Sequence, residues 1–362
     1  MQPVAKIIFP PDGEVPKVPK KGGSMPVTLK DVAARAGVSR SAVSRTFTEG
    51  ASVSLKTRRK VEKAAAELGY SPNALASSLT TGRTKLIGLI SNNFHNPLFL
   101  QVFDLFTRSL QDRGLRPLLV NLTDETDPEN SLRLLRQYSV DGVIVASSTL
   151  SPEFSVAFQD AKIPVVHSFG RFASSPRVHV VGIDNVECGR MAARTLIERG
   201  YRRIAFLGGP KAATSTIDRR KGFWEVAGSV AGLHATESFA SAYSFDAGRA
   251  EMLRLLDRGR PAEAYFCGDD VLSVGALSAI WDRGLKVPED VGVIGLNDMD
   301  MARWPNINLT TIRQPIRQII DSSIELVVAM LDQPDRHPEA RLFGCEIIDR
   351  GTLRPLPGGK TL

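Results

Sequence analysis

The 362-residue sequence contains three cysteines, Cys188, Cys267 and Cys345, far apart and with no CxxC. That spacing argues for reduced thiols and against a disulfide framework or a zinc ribbon. Long apolar runs are missing too: none approaches the roughly 18 residues of a membrane span. Ile7-Ile8-Phe9 stops at Pro10-Pro11 before it can form the core of a secretory signal. Histidine is scarce, and His95, His167, His179, His234 and His337 lack metal-ligand spacing. There is no GxSxG, no HExxH, and no GxGxxG after the first candidate strand, Leu86–Ile90. Gly359-Lys360-Thr361 looks superficially like the end of a phosphate loop, but Arg354 stands where that motif needs glycine. Two carboxylate pairs, Asp269-Asp270 and Asp298/Asp300, are open to acid–base or metal chemistry, and Asp270 can equally cap the helix that follows it. These absences point away from catalytic residues, a metal, a cofactor or a membrane partner, and toward the cytosol.

What is present is a localised charge. The formal net charge is +7, yet residues 1–85 hold 15 Lys and Arg against 6 Asp and Glu, leaving 31 against 33 in the rest. A basic head on a near-neutral body suggests a head that meets a polyanion and a body with another task.

Residues 1–24 carry Pro3, Pro10, Pro11, Pro16, Pro19 and Lys20-Lys21-Gly22-Gly23 without periodicity, the composition of a disordered extension. Translation from Met25 would make them dispensable, which intact mass from the native host decides. From Thr28 the pattern turns helical. Leu29, Val32, Ala33 and Ala36 share one face, Gly37 breaks the helix, and Ser39 caps a second one carrying Ala42, Val43 and Phe47. Two short helices around a glycine turn make a helix-turn-helix. A third helix starts near Ser54, passes Val61, Ala64, Ala65 and Leu68, and ends before Pro72. Arg40, Ser41, Ser44 and Arg45 on the second helix suit base edges or phosphates. Lys56, Arg58, Arg59, Lys60 and Lys63 suit phosphates alone. The short Asn73–Leu79 segment is rich in Ala and Ser.

Residues 86 to about 353 alternate β-branched runs with amphipathic segments. Strands are predicted at Leu86–Ser91, Pro117–Leu122, Gly142–Ser147, Pro164–Phe169, Val178–Ile183, Arg203–Gly208, Ala264–Cys267 and Val291–Leu296. Helices are predicted at Pro97–Arg113, Pro128–Tyr138, Asn185–Arg199, Ala247–Gly259 and Val271–Arg283. Such a repeat makes parallel sheets flanked by helices, and its length favours two sub-domains with ligands beyond the strands' carboxyl ends.

The run Val27-Thr28-Leu29-Lys30-Asp31-Val32-Ala33-Ala34-Arg35-Ala36-Gly37-Val38-Ser39, followed by Val43-Ser44-Arg45, resembles the N-terminal signature of the lactose-repressor (LacI) family of bacterial transcription regulators. The likeness continues through Leu68-Gly69-Tyr70, Pro72-Asn73-Ala74, Asp141-Gly142-Val143-Ile144, Arg219…Gly222-Phe223 and Leu309-Thr310-Thr311-Ile312-Arg313-Gln314-Pro315, covering about residues 26–354. It implies an all-α helix-turn-helix head, residues 25–72, and a hinge helix with linker, 73–85. It also implies an α/β periplasmic-binding-protein-like (type I) effector domain, 86–353, with a tail at 354–362. One lobe would take 86–181 and 313–338, the other 184–311 and 341–353.

By the same resemblance the protein is a cytoplasmic, nucleoid-associated regulator, most simply a repressor. It would bind a palindromic double-stranded operator as a homodimer, the Pro-rich end Leu353–Leu362 being too short for a tetramerising heptad. Arg40 and Ser41 match the family's base-reading pair and Arg45 an additional base contact. Asn73–Leu79 matches the hinge helix, and Leu79 the residue wedged into the minor groove. The implied DNA-contact set is Thr28, Ser39, Arg40, Ser41, Ser44, Arg45, Lys56, Arg58, Asn73, Ala76 and Leu79.

The implied effector set is Asn92, Phe94, Ser147, Phe169, Arg219, Tyr243, Asp270 and Asn297. Arg219 offers a fork of donors for hydroxyls or a carboxylate, and Tyr243 matches a ring-stacking position. Asn297 and Phe169 stand where many members carry aspartate, and Ala146 replaces a frequent polar residue. The pocket should therefore be less acidic and more apolar than a typical sugar site, although a sugar or related metabolite is the family default. Two readings from other classes remain: a periplasmic-type binding protein, which needs an export signal and would not carry residues 26–82, and a sugar- or nucleoside-processing enzyme, which needs a catalytic constellation that the sequence does not show.

Overall fold

The computed structural model describes residues 27–48, 50–73, 78, 82–122 and 128–358. The chain divides into two compact units after Thr84.

Among its described residues the first unit includes α1 (Leu29–Ala36), α2 (Arg40–Thr46) and α3 (Leu55–Leu68). Their ends are fixed by local chemistry. At α1 the Asp31 carboxylate reaches back to accept from both the N–H (2.8 Å) and the hydroxyl (2.7 Å) of Thr28. Gly37 ends that helix at φ +64°, a conformation that costs a side chain but not glycine. The Ser39 and Ser54 hydroxyls accept from Ala42 N and Thr57 N and so cap α2 and α3. Val32, Ala33, Val43, Val61, Ala64 and Ala65 close a small core, with the Phe47 and Tyr70 rings 5.9 Å apart at its edge.

The second unit holds two six-stranded sheets. The first contains β1 (Leu86–Ser91), β2 (Arg116–Asn121), β3 (Gly142–Ala146), β4 (Val165–Ser168), β5 (His179–Ile183) and β11 (Ala340–Phe343), in the order β11-β5-β4-β3-β1-β2. The second contains β6 (Arg203–Gly208), β7 (His234–Phe239), β8 (Ala264–Cys267), β9 (Gly292–Asn297), β10 (Thr310–Arg313) and β12 (Glu346–Ile348), in the order β12-β10-β9-β8-β6-β7. All pairings are parallel except β10 with β12. The central strands are buried on both faces, which is why they read as unbroken apolar runs such as Leu86-Ile87-Gly88-Leu89-Ile90.

Around the first sheet lie α4 (Pro97–Gln111), α5 (Pro128–Gln137) and α6 (Pro152–Asp160). Around the second lie α7 (Asn185–Glu198), α8 (Thr214–Ala227), α9 (Phe245–Asp257) and α10 (Asp270–Asp282), with a 3-10 turn at Asp300–Arg303. The long α11 (Ile316–Asp332) returns to pack on β3, β4 and α4.

Each lobe is discontinuous, and the chain crosses between them after Ile183, after Arg313 and after Phe343. The sequence expectation put the first lobe's segments at 86–181 and 313–338. The structure extends the first to Ile183, gives Arg313 to β10 of the second sheet, and adds β11 to the first, because Ala340–Phe343 pairs with Val180–Ile183. The second lobe's last segment therefore starts near Glu346 rather than Arg341. Strands β7, β10, β11 and β12 and helices α6, α8 and α11 are additions to the predicted elements.

Helices α7 and α8 approach so closely that a Cβ on Gly189 would lie 2.1 Å from Arg219 O, and one on Gly222 1.8 Å from Val186 O. Only hydrogen fits between these backbones. That crossing places Asn185 and Arg219 side by side.

Candidate functional site

On α2, Val43 and Thr46 face the core, and Thr46 returns its hydroxyl to Ala42 O at 2.8 Å. The opposite face presents Arg40, Ser41 and Arg45, all exposed, with Ser44 half-buried beside them. The Ser39 and Ser41 hydroxyls share a 2.9 Å hydrogen bond, and Arg45 Nε donates to Ser41 O at 3.4 Å. The helix thus offers two guanidinium groups and a hydroxyl at its solvent face, the donor set that reads guanine edges and phosphates. Lys56, Arg59 and Lys60 are exposed on the first turns of α3. Arg58 differs from them: its NH1 donates to Thr46 O at 2.9 Å, bracing α3 against the end of α2. Thr28 is tied to Asp31, and Asn73 is exposed. The expectations for Ala76 and Leu79, and most of the predicted hinge helix, lie outside the described residues.

In the second unit the carboxyl ends of the strands from both sheets meet at a narrow cleft. It is lined by Asn93, Asn96, Leu98, Phe99, Ser148, Phe169 and Ile183 from the first lobe. Asn185, Arg219, Tyr243, Asp269, Asn297 and Gln314 complete the wall. The inner cavity measures about 20 Å³, little more than a water molecule. A wider mouth of about 500 Å³ shares Asn93, Asn96 and Tyr243 with it and adds Asn92, Thr149 and Phe154.

Asp269 is the hub of the polar wall. Its carboxylate accepts from Val271 N at 2.8 Å, from Asn96 Nδ2 at 3.0 Å and from Asn297 Nδ2 at 2.9 Å, while Gln314 Nε2 donates to Asn297 Oδ1 at 2.6 Å. Burial pushes its pKa above the usual carboxylate value, against the Val271 N–H and the Arg219 charge. Arg219, itself buried, gives Nε to Asn185 Oδ1 at 2.8 Å and NH1 to Gly268 O. Two cleft residues hold backbone conformations unusual for side-chain-bearing residues, Phe169 at φ +62° and Asn297 at φ +125°. Such strain costs on the order of 1–3 kcal/mol each and is typical of ligand clamps.

The lobes are laced together across this cleft. Asn96 bonds Asp269, Thr214 Oγ1 donates to Ser148 O at 3.0 Å, Ser215 N donates to Ser148 O at 3.1 Å, and Arg171 pairs with Asp218 at 2.7 Å.

Residues 28–73 match the model of the bacterial regulatory proteins of the lacI family, and residues 193–353 match the periplasmic binding protein-like domain. The HTH-type transcriptional repressor CytR of Escherichia coli (strain K12) is 31% identical over 332 residues, covering 91% of this chain and 97% of that protein. The chain belongs to the LacI family of bacterial transcription regulators. Among solved structures of this family, the lac repressor dimer bound to operator and the anti-inducer ONPF superposes with a TM-score of 0.79 at 26% identity, over 90% of this chain and 99% of that one. The transcriptional regulator CelR–cellobiose complex superposes at 0.66 with 30% identity, over 90% and 99%. These relatives are regulators, and among the described residues no helix is long and apolar enough to cross a membrane.

For this LacI-family member, four of the eight candidate effector residues line the inner cleft: Phe169, Arg219, Tyr243 and Asn297. The other four are placed elsewhere. Asn92 sits at the mouth and accepts from Ser147 Oγ at 2.9 Å, so these two hold each other. Phe94 stacks on Phe103 with centroids 4.6 Å apart. Asp270 neither caps α10 nor reaches the cleft: the cap is Asp269, and Asp270 turns inward to accept from Thr311 Oγ1 and Met299 N. Tyr243 lies flat over Gly209, its hydroxyl bonded to Thr216 Oγ1 and Ser215 Oγ. The cleft, expected to be less acidic and more apolar than a typical sugar site, has Asp269 as its sole carboxylate among the described lining residues, with five amide side chains beside Leu98, Phe99, Phe169 and Ile183. The sequence-derived effector set left out Asn93, Asn96, Asn185, Gln314 and Asp269, the last noted only as half of a carboxylate pair, because their convergence depends on which strand ends meet.

Proposed function

We propose that this chain is a repressor whose homodimer binds a palindromic operator through paired helix-turn-helix heads, with its DNA affinity set by a small metabolite in the cleft of each second unit. Arg40 and Ser41 read bases, Arg45 adds a contact, Ser39 and Ser44 support it, and Thr28, Lys56 and Asn73 position the head on phosphates. Ala76 and Leu79 belong to the hinge, with Leu79 as the minor-groove wedge. The observation that carries this reading is the α2 face, where Arg40 at the capped start and Arg45 in the last turn are both exposed while the helix's other side is locked into a core.

For the effector we assign Arg219, Asn297, Phe169 and Tyr243 with Asn96, Asn185, Asp269 and Gln314. Asn92 lies at the mouth, and Phe94, Ser147 and Asp270 support the wall from behind. Amides and one guanidinium, with Phe99 and Phe169 in the same wall, offer the donors, acceptors and apolar faces for a polyhydroxylated ligand such as a sugar or a related metabolite. Such a ligand must part the lobes to enter, because the closed cavity holds little more than a water molecule. The cellobiose bound by CelR is a molecule of this class. A ligand that bridges Asp269 or Asn297 to Asn96 changes the cross-lobe lacing. Binding in the cleft and binding of DNA are then linked reciprocally. The protein acts by binding and not by turnover.

Selection from a random duplex pool tests the reading. The expected product is an inverted repeat bound with steep salt dependence, about 0.9 in log–log slope per phosphate contact. Recovery of no preferred duplex, with and without a metabolite library, would overturn it. A thermal-shift screen of the same library identifies the effector, since a ligand at 100 times its Kd adds about 2.7 kcal/mol.

A further inference from the structure

Two thiols stand outside the function derived so far, and they lie together. Cys188 is buried one turn into α7, and Cys345 sits half-buried in the Gly344-Cys345 link between β11 and β12. Their Sγ atoms are 3.6 Å apart. Helix α7 leaves the first lobe crossover through the cap made by Asp184, so the pair joins the first crossover to the third. Cys188 follows Asn185, the acceptor for Arg219 Nε, by three residues, so the thiols adjoin the cleft arginine.

The surroundings divide the roles. The Cys188 thiol donates to Cys345, which, with the Arg219 charge, holds the Cys345 thiol below its usual range despite burial. The same bond and burial push Cys188 well up. The more accessible sulfur is thus the nucleophile and the buried one is placed to resolve it. The link that must move contains Gly344, and nothing lies within 4 Å of where its Cβ would be. Closing from 3.6 Å to a bond of about 2.05 Å asks for a small shift there.

We propose that Cys188 and Cys345 are a redox-modification site, oxidised by a hydroperoxide to a disulfide that staples the third crossover to α7 and so fixes the angle between the lobes. The Cys345 thiolate attacks a peroxide oxygen and the O–O bond breaks. The hydroxide released takes up the proton that Cys345 shed and leaves as water. Cys345 is then a sulfenic acid. Cys188 attacks its sulfur, the S–O bond breaks, and the departing hydroxide takes the Cys188 proton as a second water. Two thiols lose two electrons and two protons, and hydrogen peroxide is reduced to two waters. Only the consequence for DNA rests on the regulator reading; the chemistry stands apart from it.

The test treats the reduced full-length protein with hydrogen peroxide and counts free thiols and intact mass. Thiols should fall from three to one and the mass by about 2 Da, reversibly with dithiothreitol. Cys345→Ser should keep its two remaining thiols, and Cys188→Ala should stop at a Cys345 sulfenic acid trapped by dimedone. Three persistent thiols in the wild type, or sulfinic acid with no disulfide, would overturn the site. On the operator recovered above, oxidation should change effector-dependent affinity about tenfold and leave Cys345→Ser unaffected. A disulfide that forms without moving that affinity overturns the staple. Failure of the reduced protein to select any operator overturns the regulator reading instead, and the thiol count still judges the pair.

Discussion

Arg171 of the first lobe and Asp218 of the second form a 2.7 Å ion pair beside the cleft, with the arginine 39% exposed and the aspartate 10%. It is a latch on the closed lobes rather than part of either core. Because solvent screens the arginine, its contribution is modest, about 0.2–1 kcal/mol. Asp218→Asn should weaken effector binding about two- to fivefold and leave the unfolding midpoint of the second unit in place. Calorimetric titration of both proteins checks this. An unchanged Kd would mean the pair does not report closure.

The α2 face and the α3 lysines should separate on a library of operator variants. Arg40→Ala or Ser41→Ala should relax preference at defined bases, each lost contact costing about 1–3 kcal/mol. Lys56→Ala should weaken all duplexes alike and lower the salt slope by about 1. Arg58→Ala should act differently again, loosening the end of α2, since its NH1 holds Thr46 O. Amide exchange at Phe47 and Thr48 should quicken before any base preference shifts.

Asp270 is fully buried, and burial raises its pKa to about 7, opposed by the hydrogen bonds from Thr311 and Met299. In the unfolded chain it titrates at about 3.9. Between those values the folded state holds the proton more tightly than the unfolded state. Stability from this group is therefore greatest below about 4 and is lost as pH rises toward about 7. Asp270→Asn should flatten that slope in urea unfolding of the second unit at pH 5 and 7. An identical slope in the variant would remove the assignment.

Gly222→Ala should be severe. The new methyl would meet the Val186 carbonyl, which is backbone and cannot rotate away. A cost of about 3 kcal/mol is expected, with α7 and α8 forced apart and the Arg219–Asn185 bond broken. Gly228→Ala, where the nearest atom, Trp224 O, is 2.9 Å away, serves as the milder control in the same unfolding assay.

The head was almost wholly legible, because serines at 39 and 54 and glycines at 37 and 69 spell out helix ends that local hydrogen bonds decide. The central strands were legible because burial on both faces leaves an apolar run. Edge strand β7, His-Ala-Thr-Glu-Ser-Phe, carries no such run, and its outer residues are exposed. Helix α8 hid for the opposite reason: it buries Thr214, Ser215, Thr216, Asp218 and Arg219 along with Phe223, so no apolar stripe forms. In the cleft, Arg219 was marked by its spacing to Gly222. Asp269 and Asp270 are adjacent carboxylates at a helix start, and only the packing of Thr311 and Met299 decides which one turns inward.

The threefold passage of the chain between lobes also governs how the molecule is made. Strand β11 borders the first sheet, yet it follows its partner β5 only after nearly all of the second lobe has intervened. Neither half can therefore finish assembling until the segment carrying β11 and β12 has been made. Until then β5 offers an open edge to whatever strand arrives first. Nascent copies on one polysome are thus the most exposed to mispairing, and truncations between Ile183 and Phe343 should yield aggregates rather than a smaller working protein.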